Sequence, residues 1–232
     1  MIIDHTNERV LDVLDSREKA RVIEWLRAGR ESGLLRSLEE VTIDMWEAYA
    51  NAVTEVFGVS VRVTIDRFHV MKNFQDWLTD ARREIQRSLP KEAAKALKGT
   101  RWLWLTNPEN LTLEQQAELA ALKERFPALA RLSEHREALR LIFEDRSIQT
   151  AEEGRSRLMA WCERGRQMGL TALDKFNDTL GRWMNDIANY FVSRSSNGRT
   201  EGTNRGIRTI LWRSSGMTTF HHFRLRVLHT FG

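Results

Sequence analysis

Two stretches of this chain hold residue types that could do chemistry on a phosphate. The first is Ser193–Arg213, SRSSNGRTEGTNRGIRTILWR, where Glu201 stands alone among Arg194, Arg199, Arg205, Arg208 and Arg213. From residue 193 to the end there are seven Arg and no other acid, a net charge of +6 against +4 for the whole chain. The positive charge is therefore concentrated, which points to a polyanion contact rather than general solubility. Gly198, Gly202 and Gly206 keep the local surface small, and Asn204 adds a polar hand. A lone carboxylate in this setting suits a metal ligand that must approach a phosphate backbone. The plain alternative is a solvated Arg-rich helix whose glutamate is only an ion-pair partner. The second stretch carries Asp44 and Asp66, each closing a short apolar run. Carboxylates at the ends of neighbouring strands can face one crevice. With Glu201 they make two or three hard oxygen donors of the kind Mg²⁺ prefers. Two such ions, roughly 4 Å apart, can activate an attacking oxygen and stabilise a leaving one. Asp at a strand end is also ordinary turn chemistry.

The elements that must position these acids follow from periodicity. Met1-Ile2-Ile3 and the RVLDVL run read as two short strands, with Asp4 and Asn7 supplying the turn between them. Asp15-Ser16 is placed to cap a helix bearing Ala20, Ile23, Trp25 and Leu26. Val41-Thr42-Ile43 is a strand, and Trp46, Tyr49, Val53 and Phe57 follow at helical spacing up to Gly58. Residues 59–65 alternate apolar and polar, a half-buried strand. Strand, helix, strand over 41–65 favours parallel pairing. From His69 to about Val192 the pattern is almost wholly helical. Pro90 breaks the first helix, Thr112 with Gln115 makes a capping box, Pro127 opens a helix, Thr150 caps another, and Leu173–Val192 reads as one strong helix. The expected fold is thus α/β: a mixed sheet domain into which a helical bundle is inserted, divided as 1–68, 69–192 and 193–232.

Bulk composition fits a globular chain. At 232 residues it can bury a core, with 41% hydrophobic and 29% charged residues. The single cysteine, Cys162, excludes an intramolecular disulfide or a cysteine-based zinc cluster. No apolar run approaches the roughly 18 residues of a membrane span, no signal peptide is visible, and a reducing intracellular compartment is the expectation.

The run VTIDMWEAYANAVTEVFGVSVRVTIDRFHVMKNF, followed by helices and then NGRTEGTNRGIRTILWRSSGMTTFHHFRLRVL, resembles the ISL3 family of bacterial insertion-sequence transposases. DRFHV and TEGTNRGIR are specific in combination. The resemblance implies an RNase H-like core of the DDE type, with an all-helical insertion before the helix that carries the final acid. It implies Mg²⁺, or Mn²⁺, and cleavage and joining of double-stranded DNA at transposon ends and target, in the bacterial cytoplasm at the nucleoid. By position, Asp44 is then the second catalytic and metal-binding acid and Glu201 the third. Asp66, Arg67 and His69 form a supporting motif, and another registration makes Asp66 the second acid and a metal ligand. Arg199, Asn204, Arg205, Arg208 and Arg213 are the expected DNA contacts.

The first acid of the family precedes the strand at which this chain starts. The expectation is therefore a C-terminal part whose sheet lacks its first strand, and whose catalysis is impaired. Asp4 does not replace that acid, since its DHTNERV context reads as a turn. A rival reading is a non-catalytic DNA-binding remnant that associates with itself or with intact transposase and inhibits it.

Overall fold

The computed structural model describes residues 1–195, 198–213 and 219–232, with side chains described for all of these but 198–201 and 213. It is a mixed α/β structure, mostly helical, with two small sheets. The chain divides into two compact units, residues 1–68 with 195–232, and residues 69–194.

In the first unit, β1 (Ile2–Asp4) pairs antiparallel with β2 (Arg9–Asp12). The Asp4 carboxylate closes the turn, accepting from the backbone N–H groups of Thr6 and Asn7, both at 3.0 Å, and from the Asn7 amide at 2.7 Å. Its lone pairs are committed to that turn, as its sequence context predicts. Helix α1 (Lys19–Glu31) starts later than the Asp15-Ser16 cap predicts. The Ser16 hydroxyl accepts from the Glu18 N–H at 3.1 Å and Asp15 pairs with Arg21 in the first turn, so the residue at the cap is Glu18, without a side-chain cap bond. Strand β3 (Glu40–Ile43) leads to α2 (Glu47–Phe57), which ends at Gly58 with φ +62, a conformation that costs other residues strain. Strand β4 (Arg62–Ile65) is shorter than the alternating pattern, because the Ser60 N–H turns back to the Phe57 carbonyl and Val59 stands in solvent.

β3 and β4 are parallel, in the register Ile43↔Ile65. The expected single sheet is instead two separate pairs: among the described residues β3 is laddered only to β4, and no strand links it to the hairpin. Near the chain's end, α12 (Gly198–Arg213) and α13 (Phe220–Phe231) pack on the hairpin through Val10, Ile207 and Val227, with Ile3, Phe223 and Phe231 around them.

The second unit begins within α3 (Arg67–Ser88), which Pro90 separates from α4 (Lys91–Ala96) and α5 (Arg101–Leu105). Then come α6 (Leu113–Arg125), α7 (Pro127–Glu144) and α8 (Ala151–Arg166). The predicted capping box is present at Thr112 with Gln115, and Thr150 caps α8 as predicted, with Glu153 completing a second box beyond that expectation. The predicted helix over 173–192 is three pieces, α9 (Thr171–Arg182), α10 (Met184–Ala188) and α11 (Tyr190–Ser193). It breaks where i→i−3 bonds replace i→i−4 ones, from Trp183 N–H to Leu180 and from Val192 N–H to Asn189. The turn brings Phe191 onto α8 at Gly154, where a Cβ would sit 2.0 Å from the ring.

Candidate functional site

Parallel register decides where the two aspartates go. Ile43 and Ile65 are partners, so the next residues, Asp44 and Asp66, leave the same end of the pair. The Asp66 N–H donates to the Ile43 carbonyl at 3.3 Å and extends the ladder by one step. Neighbouring strands lie about 4.8 Å apart, so both acids bear on one strand edge.

Their surroundings differ. Asp66 is buried, and its Oδ1 accepts from the Phe68 N–H at 3.1 Å, capping the first turn of α3. That gives Asp66 a structural task, and it puts Arg67 and His69 on the same first turn. Asp44 is exposed, and its carbonyl accepts from the Trp46 N–H at 2.6 Å, which aims the chain into α2. Burial pushes the Tyr49 phenol up from its ordinary value, with the Arg17 charge opposing and the Asp44 charge adding to the rise. Arg17 also lies 5.6 Å over the Trp46 ring. Asp44 thus sits on an accessible rim of aromatic and basic groups.

Among the described residues no group of three or more His, Cys, Asp and Glu is placed to hold a metal ion. Glu201 belongs to the first turn of α12, and its side chain lies outside the described ones, as do those of Arg199 and Arg213. Asn204, Arg205 and Arg208 are exposed on α12, while Ile207 turns inward. No carboxylate among the described residues pairs with Arg205 or Arg208. Spacing places positions 201, 205, 208 and 212 along one helical face. Trp212 stands largely in solvent at the far end of that face.

Two sequence-level readings change. Arg194 does not belong to the basic cluster around Glu201: its guanidinium donates to the carbonyls of Phe143 (3.0 Å), Asp145 (2.7 Å) and Ile148, and lies over the rings of Tyr190 and Phe191. It serves the C-terminal end of α7 in the helical unit, and its own backbone is left-handed, φ +57. Gly206 is not there to bare the surface, because the Phe231 ring fills its place, 2.6 Å from where a Cβ would sit. Gly202 does open onto empty space.

The structure also reveals a polar centre that periodicity conceals. Asp12 is buried at the end of β2 and accepts from Arg224 Nε at 2.5 Å, Trp25 Nε1 at 2.8 Å and the Val13 N–H at 2.7 Å. Burial alone would raise its carboxyl, but these hydrogen bonds outweigh it and hold Asp12 below the usual carboxylate range. In sequence Asp12 reads as a polar residue in a strand pattern, and its charged partner, Arg224, lies near the other end of the chain.

The comparisons with known proteins agree with one another. The profile of the ISL3-type DDE family, described as "Transposase", matches residues 1–227, and the chain belongs to this family. It is 24% identical over 237 residues to the transposase for insertion sequence element IS1001 of Bordetella parapertussis, covering 100% of this chain and 56% of that protein. It is 26% identical over 238 residues to the transposase for insertion sequence element IS1557 of Mycobacterium tuberculosis, covering 90% of this chain and 51% of that protein. The chain therefore spans about half the length of the curated relatives it matches. No solved structure matches it significantly. No helix among the described residues is long and apolar enough to cross a membrane.

Proposed function

We propose that this chain supplies the acidic strand ends and the basic helix of a DDE-type transposase that cuts and joins insertion-sequence DNA. The observation that carries the reading is the parallel register of β3 and β4, which sets Asp44 and Asp66 at one end of a ladder in a chain of this family. We read the two small sheets as portions of one RNase H-like sheet and residues 69–194 as a helical insertion. The strand that would join the hairpin to β3 is not among the described residues.

The donor set fits a hard divalent cation. Asp44 is exposed and ionisable at the strand end, and Glu201, by its place in TEGTN, is its partner acid. Asp66 holds the start of α3 and so fixes the strand edge on which Asp44 sits. A bound Mg²⁺ or Mn²⁺ would supply Lewis-acid stabilisation of the oxygens around a reacting phosphorus. Arg205 and Arg208 hold the duplex by its phosphates, contacts that position DNA without reading its sequence. A second reading, DNA binding without catalysis, draws on those exposed arginines alone.

The test is Mg²⁺-dependent nicking of a transposon-end duplex, by this chain and by a longer chain carrying the upstream half of a relative. Asp44→Asn should lower the nicking rate by at least about 10³-fold and leave duplex affinity within about threefold, the pattern of a metal ligand needed in the transition state. Nicking that survives Asp44→Asn removes Asp44 from the site, and an inactive longer chain with intact duplex affinity supports the second reading.

A further inference from the structure

Helix α12 has two contrasting faces. Ile207 is buried with Val10 and Val227, the Phe231 ring fills the space at Gly206, and Thr203 and Ile210 are half-buried on the same side. The opposite face carries Arg205, Arg208 and Trp212, all exposed and spaced to lie in one row. Trp212 is the indole this fold covers least. Five of the eight tryptophans are buried or half-buried, Trp46 and Trp102 are 49% and 44% exposed, and Trp212 is 84% exposed.

A single exposed apolar side chain carries no message by itself. The setting of this one does. The row leading to it is cationic, and residues 202–232 hold five Arg and no Asp or Glu. An apolar protein surface laid on the ring would also desolvate Arg205 and Arg208, with no carboxylate of this helix to compensate them. A nucleotide answers both needs, because its phosphate is an anion and its base is a planar face that stacks on an aromatic ring. Arg208 precedes Trp212 by about 6 Å along the helix axis, the scale of one nucleotide. Bases within a duplex are already stacked on their neighbours and offer no free face to a side chain, so the ring suits a base that is unpaired.

We propose that Trp212 stacks on an unpaired base of a DNA strand whose phosphates run along Arg208 and Arg205. This role rests on the reading that α12 faces DNA, and it is independent of any chemistry at Asp44. Trp212 is then a positioning residue that favours DNA with a single-stranded end over a closed duplex.

Anisotropy titration of the full chain tests this with labelled duplexes of arbitrary sequence, one blunt and one with a short single-stranded tail, since stacking tolerates any base. The unaltered chain should bind the tailed duplex about 10-fold more tightly. Trp212→Ala should lose that preference and keep its affinity for the blunt duplex within about twofold, and Trp212→Phe, which keeps a π-face, should retain part of it. A tail of abasic nucleotides, which keeps the phosphates and removes the bases, should abolish the preference of the unaltered chain. A preference that is missing from the start, or that survives either the abasic tail or Trp212→Ala, overturns the proposal. So does a Trp212→Ala chain that binds both duplexes as before but loses a self-associated species in sedimentation, since the ring is then a protein contact. R205Q/R208Q tests the underlying reading separately. It should weaken both duplexes alike and make the salt dependence shallower by about one per lost contact. If it changes neither, α12 does not face DNA and the stacking role falls with that reading. If it weakens both while Trp212→Ala leaves the preference intact, the stacking role alone is overturned.

Discussion

The two units are stabilised in different ways. Residues 69–194 are built on a continuous aromatic centre. The Phe74 ring meets Trp161 at 5.3 Å and Phe176 at 4.8 Å, Trp161 stacks on His135 at 4.0 Å, and its indole N–H donates to the His135 carbonyl. The start of α8 is closed locally by Thr150, and the start of α9 by Glu84 of α3, which accepts from the N–H groups of Thr171 and Ala172 within the same unit. The other unit is assembled from both ends of the chain. Its strands have three or four residues, and a charged contact, Asp12 with Arg224, ties β2 to α13. Short strands give few ladder bonds, so the acidic edge depends on contacts distant in sequence. The unit that bears the candidate chemistry is thus the less self-sufficient one, in keeping with functional segments lying at the low-stability end of a fold.

The sharpest way to break the contrast is Trp161→Ala. It removes a fully buried ring and the donor to His135, and should cost about 3–5 kcal/mol. Denaturant unfolding followed by hydrogen exchange should show the loss across α3, α7, α8 and α9, with protection in α1 and α2 retained. Equal loss in α1 and α2 would mean the units do not unfold separately.

Acidification should act on the same centre. Burial, and then the charge of Arg164, depress the His135 imidazole from 6.5 to about 4. The unfolded state therefore takes up the proton first. The stabilisation is complete above pH 6.5 and is lost as pH falls toward 4, by about 3 kcal/mol in all. His135→Gln should flatten the stability of the helical unit between pH 6.5 and 4; an unchanged slope would show that His135 is not the group responsible.

For the other unit, Asp12→Asn should cost about 2 kcal/mol, since the charge-assisted bonds from Arg224 weaken while part of that side chain stays in water. Melting of the α13 and β1–β2 amides, followed by NMR, should fall with the indole resonance of Trp25 displaced. A smaller change, about 1 kcal/mol, is expected for Thr150→Ala, which removes half a capping box from the already well-packed α8. If Thr150→Ala proved costlier than Asp12→Asn, a local cap would outweigh the distant ion pair, and the contrast between the two units would fail.

Much of the helical unit is legible in local chemistry. Pro90, Pro127, Thr112 with Gln115 and Thr150 mark element boundaries by bonds spanning at most a few residues. The same approach misplaces the start of α1, because Asp15 and Ser16 are drawn to Arg21 and Glu18 first. It also misses the breaks at Trp183 and Asn189, which depend on Phe191 finding Gly154 on another helix. For the candidate site, strand-helix-strand order predicts that Asp44 and Asp66 share an edge. The capping task of Asp66 needs the fold, since DRFH reads equally as a ligand and as a helix start.

By itself, then, the sequence determined the family, the helical periods, the caps and the concentration of arginines toward residue 213. Each of these is set by hydrogen bonds and spacings within a few turns of chain, or by residue identity alone. Only the tertiary structure decided that Asp12 and Arg224 meet, that Gly206 receives Phe231 and that Arg194 serves α7. These are matters of which distant surfaces are brought together, and a polar residue in a strand or helix pattern carries no local mark of the partner it will meet.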